Sequence, residues 1–400
     1  MPVGLLTMTQ TNDAVVSEFS YGRRYLERKN AAPLDPLQLP LAKTDYQDAG
    51  VFRVFQDASP DSWGRHLLDR AAEEHGLAPT EFEYLTAHDQ DNRIGALAFG
   101  ADLDGPRPNL PSWRPEHIPG EHLDFSAMLD AVDKILNHEE LSPSQRRYFL
   151  RGSSPVGGAQ PKALVDYDGK KWIAKFSKEL EILPTCRIEL AAMRLAAKCG
   201  VVVPSCQVLD VGGRDVFLIE RFDRTEKADK QIRRHMLSAT SLIGSDDPQK
   251  GAYGDVAMAI RKFGIPSFIK KDLEEMFRRM VFNILVNNWD DHLRNHAFLL
   301  DRAAGQWRLS PAYDIVPQPM RDGDEANRLT LVVGKMGARA SLDNALSRCG
   351  DFSLKLNQAR DIIKDMTQIV QDEWITENKA AGVKVDKLKM LEESYQRALK

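Results

Sequence analysis

The segment NNWDDHLRNHAFLL, Asn287–Leu300, places a dense group of polar side chains directly after a long apolar helix. The preceding residues predict the longest helix of the chain over Lys271–Asn287, because its apolar side chains recur at spacings of three and four: Leu273, Met276, Phe277, Met280, Val281, Ile284 and Leu285. A core helix that stops abruptly delivers the side chains after it to one loop. Here these are two acids, an imidazole and an amide: Asp290, Asp291, His292 and Asn295.

The spacing within this loop suits phosphoryl transfer. One carboxylate must orient or deprotonate the attacking hydroxyl, while an amide and a second carboxylate hold Mg²⁺ on the phosphates. Protein kinases place the catalytic Asp five residues before the metal-binding Asn, and a second metal-binding Asp later in the chain. Asp290 and Asn295 are five apart, AFLLDRAAGQWRLS predicts a hairpin, and SPAYDIVP then supplies Asp314. Taken alone, the loop is more typical of a polar helix end capped by solvated acids.

A lysine lies inside an apolar strand upstream of this loop. Lys175 stands in WIAKF, so it is either protection of a sheet edge or a cation directed into a cleft. Glu189 follows fourteen residues later on the next helix, where a kinase carries the acid that pairs with its strand lysine. The alternative for Glu189 is a solvated helix acid.

Small residues precede the lysine strand. Gly157, Gly158 and Ala159 form a loop with Lys162 just beyond it. Small residues let backbone N–H groups approach a phosphate, although a glycine pair also marks an ordinary turn. The order of small-residue loop, strand lysine, helix glutamate, strand pair, helical segment, D-x-x-x-x-N, hairpin and Asp predicts a kinase-like site.

The first 120 residues predict a separate, strand-leaning region. VGLLTM (3–8) and GVFRVF (50–55) alternate, and RIGALAFG (93–100) suits a sheet edge. Residues 100–120 hold five prolines, which exclude a long helix or a central strand. We therefore expect a linker there.

The remainder predicts a small strand-rich unit followed by a helical one. A helix is expected over 125–137, and ALVDYDGKKWIAKF is a hairpin that turns at Asp168–Gly169. RIELAAMRLAAKCG is a helix that ends at Gly200, and VVVPSCQVLD and DVFLIERF are strands joined through Gly212–Gly213. From about residue 235 the pattern is helical almost to the end.

The composition narrows the function classes. A chain of 400 residues suggests two or three domains, and 42% hydrophobic with 28% charged residues is ordinary for a globular protein. The net charge of −4 argues against coating nucleic acid or an anionic membrane by bulk charge. The four cysteines form no C-x-x-C pair, and we find neither a signal peptide nor eighteen consecutive apolar residues. We expect a cytoplasmic protein with no membrane association.

The chain resembles the HipA family, the serine/threonine kinase toxins of bacterial toxin–antitoxin modules. FSYGRRYLERKNAAPLDPLQLPL and FQDASPDSWGRHLLDR are similar to the family's N-terminal domain. The segments that are similar to the family's kinase core are GSSPVGGAQPKALV, WIAKF, LIERFDR, NNWDDHLRN and LSPAYDIVPQPM. The resemblance implies an α+β, bilobal protein-kinase-like fold with a strand-rich N-lobe, an all-helical C-lobe and an additional N-terminal α/β subdomain. The implied domains are 1–115 for the N-terminal domain, 120–222 for the N-lobe and 223–400 for the C-lobe.

The resemblance also implies a role for each matching residue. Asp290 would be the catalytic base, Asn295 and Asp314 would bind Mg²⁺, and Glu189 would pair with the lysine that contacts ATP, Lys175. The other implied ATP-binding residues are those of the phosphate loop (Gly157, Gly158, Ala159, Gln160 and Lys162), those of the adenine-reading hinge (Glu220, Arg221 and Phe222), and two that line the nucleotide site (His292 and Tyr313). Autophosphorylation would fall on Ser153 or Ser154, and it would eject the phosphate loop.

The implied activity is transfer of the ATP γ-phosphate, with Mg²⁺, to a serine of a protein. The expected substrate is an aminoacyl-tRNA synthetase such as glutamyl-tRNA synthetase. The expected partner is a HipB-like helix-turn-helix antitoxin, through which the pair would bind operator DNA. One alternative is a lipid or small-molecule kinase, because D-x-H-x-x-N also occurs in phosphoinositide-type kinases, although the acidic balance disfavours a membrane substrate. Another alternative is a nucleotide-binding pseudokinase that acts as a co-repressor.

Overall fold

The computed structural model describes residues 2–11, 14–60, 62–87, 92–100, 123–146, 160–227, 230–321, 323 and 327–397. The chain divides into two compact units. The first unit comprises Met1–Lys178, Asp223–Leu237 and Leu300–Gly305, and the second comprises Glu179–Phe222, Ser238–Leu299 and Gln306–Lys400. Residues 101–122, most of the expected linker, lie outside the described residues, and the domain boundaries inferred from the sequence stay a prediction.

The first unit begins with a three-stranded antiparallel sheet, in the order β1 (Gly4–Gln10), β2 (Val15–Tyr21), β3 (Asp45–Asp48). Phe19 and Tyr21 point from β2 into an aromatic core, where their ring centroids are 4.9 Å apart. The helices of this unit with both ends described are, in chain order, α1 (Arg23–Leu26), α2 (Arg53–Gln56), α3 (Ser62–Glu73), α4 (Glu81–Thr86) and α5 (Phe125–Leu136). The last of these confirms the helix expected over 125–137.

Two strand predictions in this region are wrong. In GVFRVF, Arg53–Gln56 forms the short helix α2, whose Val54 and Phe55 are buried. In RIGALAFG, Gly95 has a φ of +72°, a left-handed conformation that interrupts a strand. The Arg224 guanidinium donates to the carbonyl groups of Arg93 and Gly95, which occupies the backbone acceptors that a sheet partner would need.

The expected hairpin that carries the strand lysine is confirmed. It consists of β4 (Lys162–Tyr167) and β5 (Lys170–Phe176), which pair antiparallel. Asp168 and Gly169 have φ values of +47° and +71°, as a two-residue type I′ turn requires. The Trp63 indole N–H donates to the backbone oxygen of Lys162 at 3.0 Å, which joins α3 to the hairpin. A second hairpin of this unit pairs β8 (Arg224–Lys227) with β9 (Lys230–Arg233).

The second unit begins with a helix and a hairpin. The helix α6 (Thr185–Lys198) ends before Gly200, whose φ of +79° confirms the expected termination. The hairpin pairs β6 (Cys206–Val211) with β7 (Arg214–Glu220), and the helix packs on both strands. The first part of VVVPSCQVLD is not in the strand, which begins only at Cys206.

The helical part of the second unit is built around one buried helix, α9 (Ile269–Leu285). All seven apolar side chains that define its predicted face are fully buried. It contacts four other helices: α8 (Tyr253–Phe263), α10 (Leu342–Leu346), α11 (Leu356–Ala380) and α12 (Val385–Arg397). It ends two residues earlier than predicted, because Asn287 has a φ of +54° and cannot continue a helix. The longest described helix is α11, with 25 residues, and not α9.

The region after residue 235 is not entirely helical, contrary to the expected all-helical C-lobe. Besides the short helix α7 (Ala239–Ile243), it contains β10 (Met236–Ser238), β11 (Ala297–Asp301) and β12 (Gln306–Leu309), which belong to one sheet with β11 in the centre. The last two strands are the hairpin predicted between Asn295 and Asp314. This region also contains the 3₁₀ turns Leu293–Asn295 and Cys349–Phe352.

One side of α9 carries buried polar side chains that the apolar pattern did not reveal. Asp272 accepts from the Arg308 guanidinium at 2.8 and 2.9 Å, which fixes β12. Arg279 donates to the backbone oxygen of Ser310, just before the SPAYD segment. Glu275 accepts from the same arginine at 3.0 Å. The fourth, Asn283, accepts from Asn288 in the loop after α9, which we call the catalytic loop after the role expected of Asp290. All four are at most 8% exposed. We call these residues the polar stripe of α9.

A buried histidine makes the stability of the first unit depend on pH. His235 donates from Nε2 to the backbone oxygen of Leu34 at 2.7 Å, and burial lowers its pKa from 6.5 to about 4. The unfolded chain therefore binds a proton before the folded protein does. We expect the free energy of unfolding to fall by roughly 3 kcal/mol as the pH drops from 6.5 to below 4.

Urea unfolding between pH 4 and 7 measures this dependence. His235→Gln keeps a donor for Leu34 and should flatten the slope, whereas His75→Gln, which changes an exposed histidine, should not. If the free energy of unfolding of His235→Gln depended on pH as steeply as that of the wild type, other groups would control the pH dependence.

Candidate active site

The loop after α9 is hydrogen-bonded to the segment that follows Asp314. The side-chain Nδ2 of Asn287 donates to the backbone oxygen of Gln318 at 2.8 Å, and the backbone N–H of Gln318 donates back to the oxygen of Asn287 at 3.3 Å. Asn288 accepts from the backbone N–H of Val316 at 3.4 Å. The two stretches that the sequence analysis linked by chemistry are therefore adjacent in the structure.

The two neighbouring acids of this loop have different environments. Asp290 is exposed to solvent. Asp291 is buried, and one oxygen, Oδ2, accepts from the Tyr253 hydroxyl at 2.5 Å and from Nε2 of His296 at 2.9 Å. Of these two acids, only Asp290 is open to solvent. The sequence analysis assigned no role to Asp291, and the structure places it in a buried polar contact.

Asn295 closes the loop on the backbone of Asp290. It ends the 3₁₀ turn Leu293–Asn295, and its backbone N–H donates to the oxygen of His292 at 2.9 Å. Its side-chain Nδ2 donates to the backbone oxygen of Asp290 at 3.3 Å. This contact uses the nitrogen of the amide, which leaves the oxygen as the end that a cation would contact.

Asp314 lies in an irregular segment that begins after β12. Its φ of +60° is a left-handed conformation that a non-glycine residue adopts at a cost of about 1 kcal/mol or more. The hydroxyl of the preceding Tyr313 donates to the backbone oxygen of Arg294 at 2.7 Å. This bond holds the segment against the turn that carries Asn295. The segments that carry Asn295 and Asp314 are therefore adjacent.

The electrostatics of Asp290 reflect this crowding. Its pKa is raised above the ordinary range, first because neighbouring atoms displace water from the carboxylate, and then by the negative charges of Asp314 and Asp291. His292 and Arg321 act in the opposite direction. A raised pKa makes the carboxylate a better proton acceptor than a free aspartate.

Arg321 is a site residue that the sequence analysis missed. Its guanidinium lies 4.1 Å from the ring centroid of Trp289, directly before Asp290, and donates to the backbone oxygen of Arg328 at 2.7 Å. Both contacts fix a positive charge near the catalytic loop. Thirty-one residues separate Arg321 from Asp290, and no motif spacing marks it.

The expected hinge contacts the segment around Asp314, which we call the metal segment after the role expected of Asp314. Glu220 ends β7, and its backbone N–H donates to Ser205 at 2.8 Å. Arg221 is buried. The ring of Phe222 packs against that of Tyr313 with 5.6 Å between centroids. Two aromatic rings beside Asp314 provide apolar surface of the kind that a purine base packs on.

Two of the expected ATP-binding lysines lie on one hairpin of the first unit. Lys162 and Lys175 are directly opposite in the β4–β5 register, so their side chains share a face, and they are 2% and 4% exposed. Edge protection predicts an exposed lysine, so burial argues against it. Gln160 is half-buried. Glu189, in the second unit, is fully buried on α6 and is not a solvated acid. Its pairing with Lys175 stays a prediction.

Several expected site residues lie outside the described residues. They are the phosphate-loop residues Gly157, Gly158 and Ala159 and the serines Ser153 and Ser154. Over the described parts of the chain, no group of three or more His, Cys, Asp or Glu side chains is arranged to hold a metal. Mg²⁺ on a nucleotide does not need such a cage, because it takes one or two carboxylates and completes its shell with phosphates and water. The oxygen donors of Asn295 and Asp314 fit that requirement.

Comparison with known proteins places these residues in a family. Residues 154–374 match the family model of the HipA-like C-terminal domain, and residues 1–100 match that of the HipA N-terminal domain. The chain belongs to the HipA family.

Individual relatives of this HipA family kinase are distant. "Putative kinase Y4dM" of Sinorhizobium fredii is 25% identical over 399 residues, which cover 94% of this chain and 90% of the relative. The "Serine/threonine-protein kinase toxin HipA" of Shewanella oneidensis is 26% identical over 197 residues, 42% of this chain and 44% of the relative.

A solved structure supports the fold. The complex of Shewanella oneidensis HipA, HipB and its operator DNA contains a chain with a TM-score of 0.66 and 18% identity, covering 99% of this chain and 93% of that one. The HipA family chain therefore has the α+β kinase-like fold that its motifs indicated. Within the described residues, no helix is both long and apolar enough to cross a bilayer.

The raised pKa of Asp290 leads to a stability prediction. A carboxyl whose folded pKa is raised destabilises the folded protein once it ionises, so its cost is present at pH 7 and absent at about pH 3. Asp290→Asn should therefore melt at a higher temperature than the wild type at pH 7, and the difference should shrink towards pH 3. Scanning calorimetry checks this, with the exposed Asp365→Asn as a control that should not shift. A lower melting temperature for Asp290→Asn than for the wild type at pH 7 would contradict a raised pKa of Asp290 in the folded protein.

Proposed function

We propose that this HipA family kinase transfers the γ-phosphate of ATP to a serine or threonine hydroxyl of a protein. The observation that carries the proposal is that side chains of one loop are suited to different parts of the reaction. Asp290 is exposed and its pKa is raised, while the Asn295 amide is bound to the backbone of Asp290. The bond from Tyr313 to Arg294 holds the segment of Asp314 against the turn of Asn295. A carboxylate for the hydroxyl and two oxygen donors for a cation are the parts that phosphoryl transfer requires.

Asp290 would accept the proton of the attacking hydroxyl. General-base catalysis contributes most when the base has a pKa close to the working pH, and the crowding around Asp290 moves its pKa in that direction. His292 and Arg321 act against that shift.

Asn295 and Asp314 would hold Mg²⁺, which, when bound, would neutralise negative charge on the phosphates. Lys162 and Lys175 would contact the phosphates, because two buried ammonium groups on one face favour a polyanion. The phosphate loop Gly157–Lys162 would cover them. Phe222 and Tyr313 would pack on the nucleotide, and the backbone of Glu220–Phe222 would read adenine.

We further propose that the protein acts as the toxin of a toxin–antitoxin module. A relative is named a kinase toxin, and the matching solved structure contains HipA with HipB and operator DNA. The partner would be a HipB-like helix-turn-helix antitoxin that carries most of the contact with DNA. The substrate would be an aminoacyl-tRNA synthetase, with glutamyl-tRNA synthetase as the first candidate. Autophosphorylation at Ser153 or Ser154 would switch the kinase off.

The catalytic assignment is tested with Asp290→Asn and the matched control Asp365→Asn. We expect Asp290→Asn to lower kcat by a hundredfold to ten-thousandfold, roughly the contribution of a general base, with ATP affinity retained. Asp365→Asn should behave as the wild type. The measurement is transfer from labelled ATP with Mg²⁺ to proteins of a cell lysate, followed by phosphoamino acid analysis.

Near-normal kcat in Asp290→Asn would exclude Asp290 as the base. Labelled lipid or small molecule in place of labelled protein would change the substrate class, and binding of ATP without any transfer would indicate a pseudokinase. The intact mass of the chain after the same incubation tests autophosphorylation: added phosphate on Ser153 or Ser154 of the wild type, and none on Asp290→Asn, is the expected result.

The lysine pair leads to a second prediction. Lys175→Met removes one of two ammonium groups from the buried face, so we expect the KM for ATP to rise by about tenfold or more, the loss of one charge-assisted contact. Lys171→Met, on the same strand, removes an ammonium group that pairs with Asp166 and should leave the KM unchanged. Steady-state kinetics against ATP concentration measures both, and an unchanged KM in Lys175→Met would place that lysine outside the nucleotide site.

A further inference from the structure

Next to the exposed Asp290, a chain of buried side chains starts at Asp291. The Tyr253 hydroxyl and Nε2 of His296 both donate to Oδ2 of Asp291, at 2.5 and 2.9 Å. Nδ2 of Asn283 donates to the oxygen of Tyr253 at 3.2 Å. The chain thus passes from the catalytic loop to α8 through Tyr253, and from there to the polar stripe of α9 through Asn283.

The same chain continues to the metal segment. Nδ2 of Asn288 donates to Oδ1 of Asn283 at 3.0 Å, and Oδ1 of Asn288 accepts from the backbone of Val316 at 3.4 Å. Val316 is two residues beyond Asp314. We call the side chains that connect Asp291 to this point the buried polar chain: Tyr253, Asn283, Asn288, Asp291 and His296.

The buried polar chain has little freedom to rearrange. Its five members are at most 3% exposed, so water cannot replace a lost partner. Burial and the adjacent Asp291 charge raise the pKa of Tyr253 well above its usual range, which keeps the hydroxyl protonated and donating. Asp290 is covalently joined to Asp291 and lies two residues from Asn288. The position of Asp290 is therefore set from both sides.

We propose that Tyr253 and Asp291 are positioning residues that hold the base Asp290 and the metal ligand Asp314 at a fixed separation. This role rests on the proposed kinase function. Neither side chain faces substrate, because both are buried among the other members of the chain. Asp291 acts here as a two-bond acceptor, and its charge is not what the positioning requires.

The test compares Tyr253→Phe, Asp291→Asn and Asp291→Ala with the control Tyr395→Phe. The control removes a buried hydroxyl that lies outside the buried polar chain. We expect Tyr253→Phe to lower kcat about tenfold with the KM for ATP within about twofold, because one bond to a carboxylate is lost while the nucleotide contacts remain. Tyr395→Phe should retain the wild-type kcat.

The two Asp291 variants separate positioning from charge. An asparagine can present an amide oxygen to both donors, so Asp291→Asn should keep kcat within about threefold of the wild type, whereas Asp291→Ala should lose at least about thirtyfold. An Asp291→Asn variant as inactive as Asp291→Ala, or a Tyr253→Phe variant with wild-type kcat, would overturn the proposal. Tyr253→Phe removes a single oxygen atom and remains informative even if Asp291→Ala does not fold.

A structural readout makes the proposal independent of catalysis. Hydrogen exchange of the backbone amides in 288–296 and 314–318 should accelerate in both segments in Tyr253→Phe and in neither in Tyr395→Phe. Acceleration in one segment alone would overturn the link between them. A wild-type protein that transfers no phosphate would refute the proposed function, while this measurement would still decide whether the buried polar chain couples the two segments.

Discussion

A polar side chain on a buried helix face needs a hydrogen-bond partner, and α9 carries four such side chains in its polar stripe. Burying a charged or amide group costs several kcal/mol unless its hydrogen bonds are replaced. Asp272, Arg279 and Asn283 therefore each require a particular neighbouring segment to be in place: β12, Ser310 and the catalytic loop. The same helix that forms the hydrophobic core of the second unit thus determines where the segments around Asp290 and Asp314 lie.

This arrangement explains how two adjacent acids acquire opposite roles. Consecutive residues in an irregular loop can point in different directions, and the surroundings then decide which one is solvated. Asp291 is drawn inside by two donors on separate elements, Tyr253 and His296, and Asp290 is left outside as a consequence. The buried carboxylate also contributes to the raised pKa of its neighbour. A single dipeptide therefore supplies both a buried anchor and a solvent-exposed carboxylate.

Features controlled by local chemistry could be predicted from the sequence. The Asp168–Gly169 turn, the glycine that ends α6, the apolar face of α9 and the hairpin between Asn295 and Asp314 all follow from turn preferences and periodicity. The polar stripe could not be predicted, because a periodicity argument counts apolar positions and treats an intervening Asp or Arg as a surface residue. Only the partners, which come from residues 253, 288, 308 and 310, show that these positions face inward.

The strand prediction for GVFRVF was wrong because alternation of apolar and polar residues over a short run is ambiguous. GVFRVF alternates for only a few residues, and so short a run fits a helical turn as well as a strand once Val54 and Phe55 are both buried. The candidate site shows the same difference between features set by local sequence and features set by distant contacts. The spacing of Asp290 and Asn295 was visible in the sequence, whereas Arg321 and the facing of Lys162 with Lys175 depend on contacts between distant residues.

The left-handed conformations of Asn287 and Asp314 have a consequence for how the family can vary. Glycine would adopt either conformation with less strain, so selection for stability alone would favour it at both positions. A glycine at 287 would lose the side-chain bond to Gln318, and a glycine at 314 would lose the carboxylate. These two places are therefore ones where a more stable protein and a more capable one require different residues, and an evolutionary path towards heat tolerance would have to gain its stability elsewhere.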